Sequence, residues 1–117
     1  MKFERELLKG VAPLAVLQVL SRGKMYGYEL GQALEERSGN ILTLGNGTLY
    51  PLLYNLEAKR LIKGQWQESE SGRKRRYYAI TGKGEKELLR KRGQWEKLQE
   101  GISLVFSFPG SKTPTAG

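Results

Sequence analysis

Apolar and polar residues run along this chain with two periods, one helical and one of two residues. The densest apolar stretch, Pro13-Leu14-Ala15-Val16-Leu17-Gln18-Val19-Leu20, stops at Ser21-Arg22-Gly23. It predicts a mostly buried helix with Pro13 in its first turn, where a missing N–H is harmless. Leu7, Leu8 and Val11 precede it as an extra turn or arm. Leu30, Ala33 and Leu34 predict a second helix from about Tyr28 to Arg37, closed by Ser38-Gly39-Asn40. A third, from near Gly47 to Arg60, carries Leu49, Leu52, Leu53 and Leu56 as one buried stripe, and Pro51 sets its start near Gly47–Thr48. The period then changes. Leu61 to Gln67 and Tyr77 to Ile80 read as strands around Glu68-Ser69-Glu70-Ser71-Gly72 and Arg73-Lys74-Arg75-Arg76, a β-hairpin with a basic tip. Thr81 has the chemistry of an N-cap for a last helix, about Lys83 to Phe106. On that helix Leu88, Trp95 and Ile102 recur every seven residues, and Leu98 and Val105 complete a heptad-like seam interrupted by Lys91.

The element order, three helices, a hairpin and a long helix, defines the expected fold class. It is α+β, mostly α: a winged helix-turn-helix with an additional C-terminal dimerisation helix. The expected division is a DNA-binding domain over residues 1–80, a dimerisation helix over 81–106 and a disordered Pro/Gly/Ser/Thr-rich tail over 107–117.

Composition narrows the function. The 117 residues include no cysteine and no histidine, and every acid is a glutamate. Disulfide frameworks and thiolate metal sites are excluded, and the usual first-choice groups for hydrolytic or acid–base chemistry are missing. No enzyme activity, metal or cofactor is expected. The net charge of +8 points to a polyanionic partner. No apolar run approaches a membrane span, and Met1 to Gly10 lacks the apolar core of a signal peptide, so a cytoplasmic location is expected.

The charge has an address. Opposite the leucine stripe, the third helix carries Gly47, Thr48, Pro51, Tyr54, Asn55 and Ala58, with Asn46 at its start and Tyr50 and Lys59 on its flanks. Small and polar side chains suit a major groove, although an ordinary exposed face reads the same way. The four consecutive cations Arg73–Arg76 repel one another unless a polyanion compensates; a solvated loop is the plainer alternative.

Met25-Tyr26-Gly27-Tyr28-Glu29-Leu30, Gly47-Thr48-Leu49-Tyr50-Pro51-Leu52-Leu53, Leu56-Glu57, Leu61-Ile62 and Gly72 through Thr81 resemble the PadR family of transcriptional regulators, over about residues 7 to 100. The single last helix resembles the family's small subfamily. The resemblance implies a homodimeric, sequence-specific repressor of promoters, in which the last helix docks on the partner. It implies that Thr48, Tyr50 and the groove side of the third helix touch DNA, that Tyr26 and Tyr28 reach phosphates, and that Arg73, Lys74 and Arg75 form the wing. Two positions depart from the family pattern: Arg60 stands where a turn glycine is usual, and Gly82 follows Thr81. A non-glycine residue in that turn implies a local cost.

The seam Leu88, Trp95, Leu98, Ile102 and Val105 is the expected dimer interface. Near a two-fold axis, Trp95 is placed to stack on a planar aromatic effector with Leu14 as a pocket wall, a role the resemblance also implies; simple interface packing accounts for it as well. The expected partners are therefore double-stranded DNA, a second copy and a small aromatic effector, with no membrane. A winged helix that binds a protein or RNA remains the alternative.

Overall fold

The computed structural model describes residues 3–110. Helix α1, Arg5–Leu20, is followed by the two-residue strand β1, Met25–Tyr26, helix α2, Gly27–Arg37, and helix α3, Asn46–Ala58. Strands β2, Ile62–Glu68, and β3, Lys74–Ile80, form a hairpin, and helix α4 runs from Gly82 to Ser107. The sheet is antiparallel in the order β1-β3-β2. The fold is thus mostly helical with one small sheet, as the hydrophobic periods predict.

One core joins all the layers. Val16, Leu17 and Leu20 of α1 meet Leu30 and Leu34 of α2, Leu49, Leu53 and Leu56 of α3, Leu61 and Ile62 at the start of β2, and Tyr78 of β3. Each fully buried leucine contributes about 1.5–3 kcal/mol. Leu52, expected in the same stripe, is only half-buried at its edge.

Three elements differ from their expected form. Pro13 is interior to α1, because the helix continues back through Leu7, Leu8 and Val11 to Arg5. Proline there removes one donor to the Lys9 carbonyl, and Lys9 is exposed, so water is available to that oxygen. Pro51 is likewise deeper than expected, since α3 begins at Asn46 with Gly45 as its N-cap; the carbonyl it cannot bond belongs to exposed Gly47. The basic run lies on β3 from Lys74 onward rather than at the hairpin tip. The tip is Ser69-Glu70-Ser71-Gly72, where Gly72 adopts φ 82° and its N–H donates to the Ser69 carbonyl at 2.8 Å. Strand β1 is an addition: Met25 and Tyr26 pair with Tyr78 and Tyr77.

The junction between α3 and β2 is a complete Schellman turn. The Arg60 N–H donates to the Glu57 carbonyl at 2.9 Å and the Leu61 N–H to the Leu56 carbonyl at 3.0 Å. Arg60 is forced to φ 62° there, so the local cost anticipated for a non-glycine residue is present. Helix α4 starts on this turn. The Thr81 hydroxyl donates to the Arg60 carbonyl at 2.7 Å and accepts from the Gly84 N–H at 3.0 Å, which makes Thr81 the N-cap. Gly84 is packed so tightly on the Leu61 carbonyl that a Cβ would collide with it.

Beyond Lys91 every residue of α4 is exposed. The molecule measures 64 × 29 × 21 Å with a radius of gyration of 17.6 Å, against about 13 Å for a compact chain of this length. Leu88, expected in the dimer seam, is 6% exposed and belongs to the protomer's own core, because the heptad stripe begins where α4 still packs against the body alongside α1. Trp95, Leu98, Ile102 and Val105 follow at 42%, 61%, 46% and 69% exposure. The helix includes Ser107, at the head of the expected disordered tail; residues 111–117 of that tail lie outside the described residues. Among the described residues no helix is long and apolar enough to cross a membrane.

Candidate nucleic-acid interface

Burial of the leucine stripe turns the other side of α3 to solvent. Asn46, Gly47, Thr48, Pro51, Tyr54, Asn55 and Lys59 are all exposed along it. Tyr50 is held differently. Its ring lies against the first residue of α2, where a Cβ on Gly27 would come within 2.5 Å of the Tyr50 hydroxyl oxygen and 2.8 Å of its ring carbons. Gly27 therefore owes its identity to a close approach rather than to backbone freedom. Tyr50 ties α3 to the start of α2, and Tyr26 and Tyr28 flank that point.

Tyr28 is exposed, and its hydroxyl accepts from Gln32 Nε2 at 3.1 Å. Tyr26 is half-buried, and its backbone N–H donates to Glu29 Oε1 at 3.2 Å, which steadies the N-terminus of α2. The Arg75 guanidinium carbon sits 4.4 Å from the Tyr26 ring centroid. Tyr26 meets Tyr77 edge-to-face, centroids 5.4 Å apart, and Lys24 Nζ lies 6.0 Å from the Tyr77 ring and donates to Gln67 Oε1 at 2.9 Å. Lys24, Tyr26, Arg75 and Tyr77 form one cationic and aromatic patch, with both charges held over rings.

The β2–β3 register divides the basic run between the two faces of the hairpin. Gln67 pairs with Arg75 and Gln65 with Tyr77 on one face; Trp66 pairs with Arg76 and Gly64 with Tyr78 on the other. Arg73 and Lys74 are exposed near the tip. Arg76 turns back to α3: its Nη2 bonds Glu57 Oε2 at 2.6 Å, and the same carboxylate oxygen accepts the Gly64 N–H at 3.0 Å. The Arg76 hydrogen bond holds the Glu57 carboxyl below its ordinary range. Burial pushes the Tyr78 hydroxyl up, opposed by the neighbouring Arg76.

The expected DNA-facing residues lie on α3 and its C-cap Lys59, at the α2 start and on the wing; Tyr50 against Gly27 ties α3 to the α2 start, and Arg75 over Tyr26 ties the wing to it. Sequence reasoning did not pair Glu57 with Arg76, nor place Lys24 beside Tyr77. Gly64, a glycine inside a strand, was the readable signal of another group approaching closely. The expected ligand residues also meet. Leu14 and Trp95 line a single groove of about 930 Å³ between α1, the segment after α2, and α4.

Three helices with the third bared along a small polar side, a basic hairpin beside it and a long helix behind define a winged-helix DNA-binding protein. Residues 16–90 match the transcriptional regulator PadR-like family, and the chain belongs to that family. It is a DNA-binding transcriptional regulator and not an enzyme. It is 36% identical over 93 residues to the transcriptional regulator YqjI of Escherichia coli, covering 80% of this chain but only 43% of that protein. An uncharacterised protein of Lysinibacillus sphaericus is 29% identical over 101 residues, covering 86% and 93% of the two chains. Among solved structures, a PadR-like transcriptional regulator from Bacillus cereus superposes with TM-score 0.77 at 31% identity, covering 87% of this chain and 97% of that one. A Streptococcus transcriptional regulator gives 0.78 at 34%, covering 89% and 100%.

Proposed function

We propose that this regulator is a cytoplasmic repressor that binds pseudo-palindromic promoter DNA as a homodimer through α3 and the wing, with α4 as the dimerisation helix. The observation that carries the reading is the bare apolar stripe of α4. Trp95, Leu98, Ile102 and Val105 are exposed in series on a helix that extends beyond the body. Such a helix is marginal in water without a covering surface. Two copies joined there bring two α3 helices to one side, and adjacent major grooves require them about 34 Å apart.

The contacts divide by chemistry. Arg73, Lys74 and Arg75 neutralise phosphates, Tyr26 and Tyr28 fix the α2 end to the backbone, and Thr48, Tyr54 and Asn55 reach base edges. The dimerisation helix is proposed to move with the DNA-binding domain, a reading supported by Leu88 in the common core and by Gly84 against the Leu61 carbonyl. A small planar aromatic effector in the Leu14–Trp95 groove is the proposed release signal.

Sedimentation of the parent and of a Leu98→Glu, Ile102→Glu variant, together with gel shifts on DNA from upstream of the gene, tests the reading. A dimeric parent that shifts duplex and a monomeric variant that does not are the expected results. A parent that sediments as a monomer at working concentrations refutes it. The effector is tested with Trp95→Ala: unchanged release of DNA by the same aromatic compounds refutes that role.

A further inference from the structure

Four adjacent cations invite the reading that all of Arg73–Arg76 serve the DNA backbone. The geometry points to a different division of labour, and it rests on the DNA-binding reading above. We propose that Glu57 is a positioning residue that withholds Arg76 from DNA and uses it to lock the wing to the recognition helix, so that the wing offers three phosphate-seeking cations rather than four.

The argument begins with where the groups are. Glu57 lies in the last turn of α3, beside the leucine stripe, and Arg76 lies on β3 facing it. Their 2.6 Å charge-assisted hydrogen bond joins two elements separated by 19 positions in the chain. The Glu57 oxygen that takes Arg76 also takes the Gly64 N–H at 3.0 Å, so one carboxylate oxygen ties α3, β2 and β3 together. The guanidinium has a seat as well. A Cβ on Gly64 would meet Arg76 Nε at 2.6 Å, and the guanidinium carbon lies 5.8 Å from the Tyr78 ring centroid. Only a glycine at position 64 leaves room for it. The two side chains are 34% and 32% exposed. They are partly shielded, and Arg76 would have to abandon a carboxylate, a ring and a fitted seat to reach a phosphate.

Among the described residues no carboxylate pairs with Arg75, one residue away; it rests on Tyr26 instead. Neighbours of equal formal charge are thus unequal toward a polyanion. Because each phosphate neutralised adds about 0.9 to the salt dependence of binding, the difference is countable.

The test measures affinity of the full-length protein for a fluorescein-labelled random-sequence duplex across a salt series, with thermal melting to verify that each variant is folded. Arg75→Met is expected to lower the slope by about 1. Arg76→Met is expected to leave it at the parent value. Glu57→Gln, which frees Arg76, is expected to raise the slope by about 1 and tighten binding. The double variant Glu57→Gln, Arg76→Met is expected to return the slope to the parent value, which separates a released arginine from mere loss of a nearby negative charge. If Glu57→Gln does not fold, Arg76→Met and Arg76→Lys carry the test alone, with slopes at the parent value expected for both. The proposal is overturned if Arg76→Met lowers the slope as Arg75→Met does, if folded Glu57→Gln leaves it unchanged, or if the double variant keeps the raised slope. A parent that binds no duplex at low salt overturns the DNA-binding reading and this proposal with it; a parent that binds while Arg75 and Arg76 behave alike overturns this proposal only.

Discussion

Replacing Arg60 by glycine should stabilise this protein. Arg60 is the residue after the C-cap of α3 and holds φ 62°, in the left-handed region, because the Schellman turn needs it there. An L-residue with a Cβ loses about 1–2 kcal/mol in that conformation, and glycine loses nothing comparable. Two effects oppose the gain. Glycine broadens the unfolded ensemble, which costs about 0.5–1 kcal/mol. Removing a cation from a helix C-terminus costs a few tenths more at an exposed site. A net gain of about 0.5 kcal/mol remains, which for a chain of this size raises the melting temperature by about 2 °C. The assay is thermal unfolding by circular dichroism at one fixed protomer concentration, because any self-association would otherwise shift the midpoint. Arg60→Ala is the control: it loses the charge and keeps the strain, so it should melt at or slightly below the parent. The expected order is Arg60→Gly highest, then the parent, then Arg60→Ala. An Arg60→Gly protein that melts no higher than Arg60→Ala refutes the claim that backbone strain resides at this turn.

Gly84→Ala should destabilise by about 1–3 kcal/mol, since the new methyl meets the Leu61 backbone carbonyl rather than a movable side chain; a urea midpoint equal to the parent's contradicts this. Gly27→Ala should displace the exposed Tyr50 ring rather than the backbone, so DNA affinity should fall more than stability does, and gel shifts beside thermal melts compare the two. The pH response of the Glu57 pair has a definite sign. The folded carboxyl titrates below its ordinary 4.5, so its stabilisation is present above that value and is lost as pH falls through the lowered one. The urea midpoints of the parent and Glu57→Gln should therefore differ at neutral pH and converge in acid; a constant difference across the range refutes the linkage. Leu53→Ala, at a fully buried α3 position, should cost about 2–5 kcal/mol, measured by urea unfolding.

Much of this architecture is written in local pattern. A leucine at every third or fourth position from Leu49 to Leu56 can only be a helix with one buried side, so the exposed side of α3 follows from arithmetic. Thr81 as an N-cap and the change of period at Leu61 were legible for the same reason, because each depends on neighbours within a few residues; the strain at Arg60 was legible only through the resemblance, which puts a glycine in that turn. The polyanion-seeking character of the chain is a matter of composition, and charge needs no fold to be counted.

What required the tertiary structure involves residues far apart in the chain. Pro13 reads as a helix start in one dimension, yet α1 continues past it, where packing along an apolar strip outweighs one missing hydrogen bond. Leu88 fits the heptad of the α4 seam, but only the packing of the start of α4 against the body, alongside α1, decides that it faces inward while Trp95 does not. Four identical charges in a row are equivalent on paper; the alternation of a strand, a carboxylate 19 residues away and a glycine on the neighbouring strand make one of them different. Periodicity assigns a residue to a side of its own element, and only the meeting of elements determines what stands on that side.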